Sequence, residues 1–384
     1  MRIAILGAGP AGLYLAYLIK RRQPDADVNV FEQNAADSTF GFGVVFSDKA
    51  LDFLREDDPQ THAAIAPHME SWNDITLVHR GERVVIDGVG FAAIGRLKLL
   101  QLLQARAALA GISPSYRHTI ENLDDLHAAD LVIGADGVNS LVRRSHAGEL
   151  GSTVRLMTNR FAWFGTTKRF ETLTQTFIET ELGCFNAHHY RYTPHLSTFI
   201  VEVDEPTFAR AGLARLEDAE SRRFCEKVFA ATLDGHSLIS NNSIWRKFPI
   251  VHNERWSARN CVLIGDALHT AHFSIGSGTR LAMEDAIALD KALAVSGNNI
   301  SVAMQSFEAA RRPVLEKLVA GANGSATWYE RFAKHMQLAP VDFAMSYITR
   351  SGRIDLDRLR KLSPRFVERF EQTRVPGEPP QVNN

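Results

Sequence analysis

The hydrophobic positions of the N-terminal segment change from an unbroken run to a helical periodicity and back. Residues 2–7 form an apolar run typical of a buried strand, residues 10–22 repeat apolar side chains at helical spacing, and residues 28–32 form a second strand. Strands joined by one helix pair in parallel through a right-handed crossover. The pattern therefore predicts the first β-α-β unit of an α/β protein.

Further along the chain, the periodicity predicts a second layer of different character. Residues 131–133 and 261–264 are apolar runs that extend the parallel sheet. The remaining predicted elements are antiparallel strands in 74–94 with turns at Gly81 and Gly88, a helix over 96–110, a strand-rich stretch over 153–204, a helix over 217–231 and mainly helices from 279 onward. The apolar stripe of the helix over 96–110 is expected to consist of Leu99, Leu102, Leu103 and Leu109.

Composition and charge narrow the functional classes. The chain carries 43 Lys and Arg against 44 Asp and Glu, so its charge gives no reason to expect a nucleic-acid partner. No apolar stretch approaches the roughly 20 residues of a membrane span, and no secretory signal precedes the first strand. Cys184, Cys225 and Cys261 lack paired spacing, and no Cys/His cluster indicates a metal site. We therefore expect a cytoplasmic enzyme with no bound metal and no membrane partner.

A glycine motif lies between the first strand and the first helix. It consists of Gly7, Ala8, Gly9, Pro10, Ala11 and Gly12. Glycines at this spacing allow a tight turn and a close backbone approach to a pyrophosphate, which the N-terminus of the helix attracts. Glu32 lies twenty residues beyond Gly12, where its carboxylate can accept a hydrogen bond from a ribose hydroxyl. The motif predicts a dinucleotide cofactor and fits FAD and NAD equally.

Two more glycine–acid motifs follow later strands. Asp136-Gly137 comes after the strand at 131–133, and Gly265-Asp266 comes after the strand at 261–264. An acid at the end of a buried strand can bind a ribose or another polyol. A helix then begins at the polar segment of Gly276, Ser277, Gly278 and Thr279, and its positive end can stabilise the negative charge of a reduced flavin. Three motifs in this order predict one flavin nucleotide.

These motifs resemble those of the single-component FAD-dependent aromatic hydroxylases. Two segments are distinctive within that family: residues 271–279, Ala-His-Phe-Ser-Ile-Gly-Ser-Gly-Thr, and residues 40–48, Phe-Gly-Phe-Gly-Val-Val-Phe-Ser-Asp. Both are similar to the branch that includes salicylyl-CoA 5-hydroxylase, 2-aminobenzoyl-CoA monooxygenase and the FAD hydroxylase of violacein synthesis. Phe273 and Arg280 replace the proline and asparagine of the wider family, which places the chain in this side branch.

The resemblance implies an α/β fold with an FAD-binding Rossmann-like domain of the glutathione-reductase type. An antiparallel-sheet substrate domain is expected to be inserted in it, with helices at the C-terminus. The expected boundaries are 1–70, 95–152 and 256–325 for the discontinuous FAD-binding domain, 71–94 and 153–255 for the substrate domain, and 326–384 for the helical region.

The resemblance also implies the residues that bind FAD. They are Gly7, Gly9, Pro10, Ala11, Gly12, Glu32, Gln33, Arg96, Asp136, Gly265, Asp266, Gly276, Ser277, Gly278 and Thr279. Among them, Arg96 is expected at the FAD phosphate or ribose and Asp266 at the ribityl-pyrophosphate region. NADH or NADPH is expected as a transient reductant, since the chain contains no second nucleotide motif.

In the reaction that the resemblance implies, NAD(P)H reduces FAD, O₂ adds at flavin C4a, and the hydroperoxide oxygenates an electron-rich ring. A histidine that accepts a proton from the ring substituent would assist this attack. The candidates are His188, His189, His269 and His272. We favour His188 and His272, because each should lie where the two lobes meet. If residues 187–190 form a strand, His188 and Tyr190 share one face and His189 lies on the other.

The leading substrate implied by the resemblance is an aryl-CoA of the salicylyl type. The alternatives are an indole or free phenolic metabolite, or a flavin reductase or dehydrogenase reaction without oxygen insertion. The aromatic residues of the middle segment either shape a pocket or fill a core: Phe161, Trp163, Phe177, Tyr190 and Phe199. CoA phosphates could meet Lys168, Arg169 or arginines within 350–374, and the sequence does not select among them. The chain is expected to be a monomer or a homodimer.

Overall fold

The computed structural model describes residues 1–47, 51–297 and 299–373, and three sheets organise this part of the chain. The strands are β1 (Arg2–Leu6), β2 (Asp27–Glu32), β3 (Gly43–Ser47), β4 (Glu70–Trp72), β5 (Ile75–His79), β6 (Glu82–Ile86), β7 (Phe91–Gly95), β8 (Ser115–Tyr116), β9 (Leu131–Gly134), β10 (Thr153–Thr166), β11 (Leu173–Thr180), β12 (Gly183–Arg191), β13 (Ser197–Val203), β14 (Leu238–Ile239), β15 (Arg246–His252), β16 (Ser257–Ala258) and β17 (Cys261–Leu263).

The α-helices surround these sheets. They are α1 (Pro10–Arg22), α2 (Asp52–Asp57), α3 (Pro59–Ile65), α4 (Arg96–Leu109), α5 (Leu141–Ser145), α6 (Ala147–Leu150), α7 (Glu205–Arg210), α8 (Asp218–Val228), α9 (Ala230–Leu233), α10 (Gly278–Val295), α11 (Ile300–Tyr329), α12 (Phe332–His335), α13 (Pro340–Thr349), α14 (Leu356–Leu362) and α15 (Pro364–Gln372). Single 3₁₀ turns occur at Ala66–His68, Leu123–Leu126, Leu213–Arg215, Gly265–Ala267 and Phe273–Ile275.

The first sheet has the strand order β16-β17-β9-β1-β2-β8, and its strands are parallel except for β16. Its centre is fully buried and packs against α1, α4 and α10. The register pairs Leu6 with Gly134 and Gly134 with Leu263. Because these three residues end their strands, the glycine–acid motifs that follow them lie side by side at one edge of the sheet.

The second sheet has the order β14-β10-β13-β12-β11-β5-β6, and β15 pairs with β10. It is antiparallel apart from the β5–β11 pair. One of its faces packs against the helical segment after β13, around Phe185, Phe199 and Phe229. Residues of β11 and β12 join a second apolar cluster with the C-terminal helices. A short third sheet, in the order β3-β7-β4, completes this part of the molecule.

The structure corrects two expectations from the periodicity. Leu109 is 80% exposed, because the buried positions of α4 recur every four residues at Leu99, Leu103 and Ala107, which leaves Leu109 on the opposite side of the last turn. The helix expected over 217–231 is divided at Phe229 into α8 and α9. Within the described ranges, no helix has the length and apolarity needed to cross a bilayer.

Candidate active site

A cavity of 1230 Å³ runs from the carboxyl edge of the first sheet to one face of the second sheet. All three glycine–acid motifs contribute to its wall, as do Gln175, His188 and Tyr190 of the second sheet. Sites for single small molecules commonly enclose about 300–1000 Å³. The cavity is therefore large enough for a cofactor together with a second ligand.

The first motif forms a tight turn that only glycine permits. Gly7 has a φ of +99°, and a Cβ on Gly7 would lie 2.3 Å from the carbonyl oxygen of Ala135. A Cβ on Gly12 would lie 2.0 Å from the carbonyl oxygen of Gly7, so the helix could not approach the strand. Gly9 has no atom within 4 Å of the place its Cβ would take, and it lines the cavity together with Pro10.

The N-terminus of α1 is open to an anion. No side chain caps it, and Pro10 removes one N–H from its first turn. The remaining backbone N–H groups of that turn lack partners within the helix, as in every α-helix, and Ala11 of that turn lines the cavity. Free donors beside the open space at Gly9 fit the pyrophosphate of a dinucleotide.

Glu32 closes the other side of this turn. Its Oε2 accepts a hydrogen bond from the Ala8 backbone N–H at 2.9 Å, and its Oε1 accepts one from the Asn34 N–H at 2.8 Å. Both Glu32 and Gln33 line the cavity. Two backbone donors thus fix the carboxylate on the cavity wall, and its contact with a ribose stays a prediction.

The second motif leaves a buried acceptor without a partner. Asp136 Oδ2 accepts a hydrogen bond from the Leu141 N–H at 2.6 Å, whereas Asp136 Oδ1 has no hydrogen-bond partner among the described residues. Burial raises the pKa of this carboxyl, although its hydrogen bonds lower it. An orphaned acceptor on the cavity wall fits a ligand hydroxyl. Arg143 Nη1 also donates to the carbonyl oxygen of Ala267 at 2.9 Å, which fastens this motif to the third one.

The third motif is held by a buried charge network. Asp285 Oδ2 accepts hydrogen bonds from the Gly265 N–H at 3.1 Å and from His269 Nε2 at 2.7 Å, and Asp285 Oδ1 accepts one from Arg311 Nε at 2.9 Å. His269, a candidate base in the sequence, thus has its Nε2 on a structural carboxylate. The network connects α10 and α11 to the turn that presents Asp266.

Asp266 lies across the cavity from Arg96. The Asp266 side chain is open to the cavity although protein atoms surround it, and this desolvation raises its pKa, whereas His269 and Arg96 lower it. Arg96 Nη1 donates to the carbonyl oxygen of Phe40 at 2.7 Å, and its guanidinium lies 5.6 Å from the ring centre of Trp163. The Asp266 carboxyl, which can accept further hydrogen bonds, and the Arg96 guanidinium, which can donate them, thus face the same space.

The N-terminus of α10 provides a second anion site. Gly276 has a φ of +61°, and a Cβ on it would lie 2.9 Å from Val45 Cγ1. Ser277 is the N-cap residue, and no side chain caps this 18-residue helix. Residues 276–279 all line the cavity, so the positive end of α10 points to it. Such a terminus suits the part of a flavin that becomes anionic on reduction.

Most of the predicted cofactor residues therefore share one cavity, and all the features above fit FAD. The cavity wall includes Gly7, Gly9, Pro10, Ala11, Glu32, Gln33, Arg96, Asp136, Asp266, Gly276, Ser277, Gly278 and Thr279. Gly12 and Gly265 lie behind the wall. Gly12 permits close packing of the first turn, and Gly265 presents its N–H to Asp285 with a φ of +60°.

The second sheet contributes a row of side chains to the other end of the cavity. The register pairs Gln175 with His188, His188 with Ile200, and Ile200 with Trp163, and all four residues line the cavity. As predicted from strand alternation, Tyr190 lines the cavity with His188, whereas His189 stacks on Phe199 on the opposite face.

Both ring nitrogens of His188 have partners. Its Nδ1 lies 2.9 Å from Gln175 Nε2, and its Nε2 lies 3.3 Å from Glu202 Oε2. The ring stacks on Tyr329 with 4.8 Å between centres and meets the edge of Phe273 at 5.2 Å. Burial and the nearby Arg350 hold the pKa of His188 well below its usual value, so the imidazole is neutral near pH 7.

His272 lies close by, behind the cavity wall. Its ring stacks on Phe273 at 4.2 Å between centres, and its Nδ1 lies 2.8 Å from Ser274 Oγ. Burial lowers the pKa of His272 to about 4, although Glu202 raises it. The structure thus brings the two favoured histidines into one aromatic cluster and gives only His188 access to the cavity.

The structure also sorts the other candidates from the sequence. Phe161, Trp163 and Tyr190 line the cavity, whereas Phe177 and Phe199 fill apolar cores, so each of the two alternatives left open by the sequence holds for part of the set. Lys168 pairs with Asp234 and Arg169 with Glu171, and neither lies on the cavity wall. Of the arginine-rich tail, Arg350 is bonded to Ser274 and Ser325, and residue 374 lies outside the described ranges.

Sequence reasoning missed three residues around His188: Gln175, Asn159 and Glu202. Gln175 and Glu202 lie on strands that neighbour β12, and Asn159 and Tyr329 join them through hydrogen bonds. None of the three missed residues belongs to a local motif. The sequence shows them only as polar residues at strand positions that should be buried. The strand register is needed to show that they lie around His188.

Comparison with known proteins agrees with this site. Residues 101–322 match the family model described as FAD binding domain, and residues 5–39 match the NAD(P)-binding Rossmann-like domain. The chain is 40% identical to salicyloyl-CoA 5-hydroxylase of a Streptomyces species over 97% of this chain and 73% of that protein. It is 35% identical to 3-hydroxy-4-methyl-anthranilyl-[aryl-carrier protein] 5-monooxygenase of Streptosporangium sibiricum over 86% and 90% of the two chains.

The fold agrees with a solved structure as well. PqsL of Pseudomonas aeruginosa, solved in complex with 2-aminobenzoylacetate, superposes with a TM-score of 0.68 at 21% identity over 87% of this chain and 98% of that chain. The predicted α/β fold class and the predicted cofactors, FAD with a nicotinamide dinucleotide, are confirmed by these matches. The chain belongs to the FAD-dependent aromatic monooxygenases.

Proposed function

We propose that this protein hydroxylates an activated aromatic ring with NADH or NADPH and O₂, and that its substrate is an aryl-CoA of the salicylyl type. Bound FAD would take a hydride from the nicotinamide and use O₂ to oxygenate the ring. The observation that carries this proposal is the continuity of the cavity, which joins the three cofactor motifs to the row of Gln175, His188, Ile200 and Trp163.

The wall residues have separate tasks in this reaction. The α1 N-terminus and Glu32 would bind the adenosine and pyrophosphate half of FAD, and Asp136, Asp266 and Arg96 the ribityl and phosphate region. The α10 N-terminus would hold the flavin ring. Phe161, Trp163 and Phe273 form an aromatic wall, with 4.9 Å between the centres of Phe161 and Phe273, which would position a planar ring and exclude water.

His188 would accept a proton from the ring substituent. It is the one of the two favoured histidines that lies on the cavity wall, and its neutral state near pH 7 suits a proton acceptor. His272 supports the aromatic cluster from behind, and its direct role in catalysis stays a prediction.

A thioester substrate is supported by the cavity mouth. Four exposed apolar side chains lie on its wall: Phe40 at 47%, Val154 at 52%, Leu156 at 57% and Ile244 at 58% exposure. Arg246 also lies on the cavity wall and stacks on Phe40, 5.5 Å from the ring centre. Exposed apolar side chains on the cavity wall beside a cation fit the arm and phosphate of a CoA ester.

The sheet register gives the length of this site. Ile200 lies one strand from His188, Phe161 and Trp163 lie on the next strand, and Arg246 pairs with Phe161 on the strand after that. Three strand spacings amount to about 14 Å. Free salicylate cannot span this distance, whereas a CoA thioester can. The names of the two relatives at 40% and 35% identity also describe an acyl-CoA and a carrier-bound substrate.

The test follows NADH and NADPH oxidation by the FAD-loaded protein with salicylyl-CoA, salicylyl-pantetheine, 2-aminobenzoyl-CoA, free salicylate and an indole acid. We expect oxidation to be stimulated most by a CoA thioester, and mass spectrometry to find one oxygen from ¹⁸O₂ in the product. Removing the phosphates, as in the pantetheine ester, should raise the KM about tenfold, since a charge-assisted contact of about 1.4 kcal/mol is lost.

Other outcomes would redirect the proposal. Equal KM values for the CoA and pantetheine esters would show that the protein makes no contact with the CoA phosphates. Preference for an indole or a free phenol would replace the substrate class and keep the reaction type. Stimulated NAD(P)H oxidation that continues without O₂ and yields no oxygenated product would instead show a flavin reductase.

A further inference from the structure

Glu202 is a buried acid to which the reaction above gives no task. It lies on β13 with 2% exposure and does not line the cavity. Its Oε1 accepts a hydrogen bond from Asn159 Nδ2 at 2.9 Å, and its Oε2 lies 3.3 Å from His188 Nε2. A carboxyl at this depth is rare without a partner or a role.

The surrounding hydrogen bonds determine where the proton of His188 lies. Gln175 Oε1 lies 3.2 Å from the Tyr329 hydroxyl and 3.4 Å from Asn186 Nδ2, and both groups donate to it. Gln175 therefore presents its NH₂ group to His188 Nδ1 at 2.9 Å. Since Nδ1 accepts, the neutral ring carries its hydrogen on Nε2, which donates to Glu202.

The two sides of the imidazole differ in access to ligand. Gln175 and His188 line the cavity, whereas Glu202 and Asn159 lie behind it. The Nδ1 side is therefore the side that a ring hydroxyl can approach, and the Gln175 amide occupies the place that this hydroxyl would take.

We propose that Glu202 is the positioning residue that makes His188 Nδ1 the proton acceptor for the ring hydroxyl of the substrate. The inference rests on the proposed function, because it requires a hydroxylated or similarly acidic ring. In the step, the ring hydroxyl displaces the Gln175 amide from Nδ1. The phenolic O–H bond then breaks, its electron pair stays on oxygen, and the proton forms an N–H bond at Nδ1. The imidazolium Nε2–H keeps its hydrogen bond to the Glu202 carboxylate.

Electrostatics favour this pair over either charge alone. Burial raises the pKa of Glu202, although His272 and the bond from Asn159 lower it. Burial and Arg350 lower the pKa of His188. Burial thus makes the lone Glu202 carboxylate beside a neutral ring costly, and an imidazolium at His188 compensates that charge. The arrangement orients an imidazole through a buried carboxylate, as in acyl-transfer triads.

The test compares the wild-type holoenzyme with Glu202→Gln, using bound salicylyl-CoA as the probe. The absorbance of the bound phenolate, titrated against pH with oxidised flavin, reports ionisation without turnover. We expect the pKa of the bound phenol to rise by about one unit in Glu202→Gln, a tenfold weaker ionisation. Ring oxygenation should slow about 100-fold, whereas flavin reduction by NADH should change less than about twofold.

Glu330→Gln is the matched control. Glu330 Oε1 accepts a hydrogen bond from the Asn159 backbone N–H at 2.8 Å, so this variant removes a carboxylate from the same Asn159 without touching His188. We expect its phenol ionisation to equal that of the wild type. An unchanged pKa of the bound phenol in Glu202→Gln, or equal shifts in both variants, would overturn the inference.

A measurement on the wild-type protein covers the case in which Glu202→Gln does not fold. In ¹⁵N NMR of the holoenzyme, the ring of His188 should show a hydrogen on Nε2 alone, and hydrogens on both nitrogens once salicylyl-CoA is bound. The Nδ1–H tautomer in the free enzyme would contradict the role of Glu202. Failure of the wild type to hydroxylate any activated ring would instead defeat the proposed function itself.

Discussion

The two ends of the cavity are built in different ways. At the proposed cofactor end, the cavity wall presents mainly backbone: uncapped N-termini of α1 and α10, and glycine turns with no room for a side chain. At the substrate end, they come from side chains of Gln175, His188 and Glu202, which three neighbouring strands bring together. A backbone site depends on local sequence, and a side-chain site depends on strand register.

This difference predicts how each end fails. A substitution at the cofactor end should change FAD binding, by steric exclusion or by the loss of a contact, without changing the chemistry. A substitution at the substrate end should act through protonation and hydrogen bonding, because its polar groups are buried and mutually satisfied. Three experiments test this contrast, beginning with the one for which we expect the largest effect.

Gly9→Val should separate folding from cofactor binding. The valine Cβ meets no protein atom within 4 Å, so the chain should fold, but it would occupy the space that a pyrophosphate needs. We expect FAD affinity to fall at least about a thousandfold, roughly 4 kcal/mol, in a fluorescence titration of the apoprotein. Gly148→Val, also at an open position but off the cavity wall, should bind FAD normally. Normal affinity in Gly9→Val would refute a backbone-made site.

Acid should weaken the substrate end through His272. Its pKa is lowered to about 4 in the folded protein against an ordinary 6.5, so the unfolded chain binds the proton more strongly. The contribution of neutral His272 to the free energy of unfolding is fully present above pH 6.5 and is lost as the pH falls toward 4. Between pH 7 and pH 4.5, protonation of this histidine should lower the free energy of unfolding by about 2.5 kcal/mol.

His272→Asn removes that titration. Denaturant unfolding at the two pH values should show a smaller acid loss for the variant than for the wild type, by about 2.5 kcal/mol. An identical acid loss in both proteins would mean that the buried histidine does not control stability at this end of the cavity.

Asp266→Ala should give the smallest effect of the three. It removes one carboxylate from the cavity wall and leaves the turn held by the Asp285 network. We expect FAD to be retained about tenfold less tightly, near 1.4 kcal/mol, as measured by flavin release on dilution. Asp25→Ala, at an exposed acid off the wall, is the control. A fully flavin-loaded Asp266→Ala would show that backbone contacts alone suffice.

The same contrast explains what could be predicted from the sequence. Gly7, Asp136 and Asp266 were found because each follows an apolar run, and parallel strands bring their ends to one edge. Leu109 was misplaced because it lies outside the four-residue repeat of Leu99, Leu103 and Ala107 and so points away from the buried face. The sequence left open whether Phe177 and Phe199 line a pocket or fill a core, because alternation does not show which side of a sheet packs against helices and which lines a cavity.

The residues around His188 were missed for a related reason. Gln175, Asn159 and Glu202 are on different strands, and they meet through the pairing of β10, β11, β12 and β13 and through the end of α11. No local spacing encodes such a meeting. The placement of His188 on the cavity side was predictable, because the two-residue period of a strand is local.

Arg350 has a consequence for how ligands enter and leave. It donates hydrogen bonds to the carbonyl oxygen of Ser274 and to Ser325 Oγ, and it stacks on Tyr347 at 3.8 Å from the ring centre. These contacts fasten the C-terminal helices to the segment that precedes α10, and we expect this side of the cavity to stay closed. Aromatic ligands should therefore enter and leave the cavity beside Phe40 and Ile244. A truncation before Arg350 should make the cavity wall near Ser274 less rigid without widening this entrance.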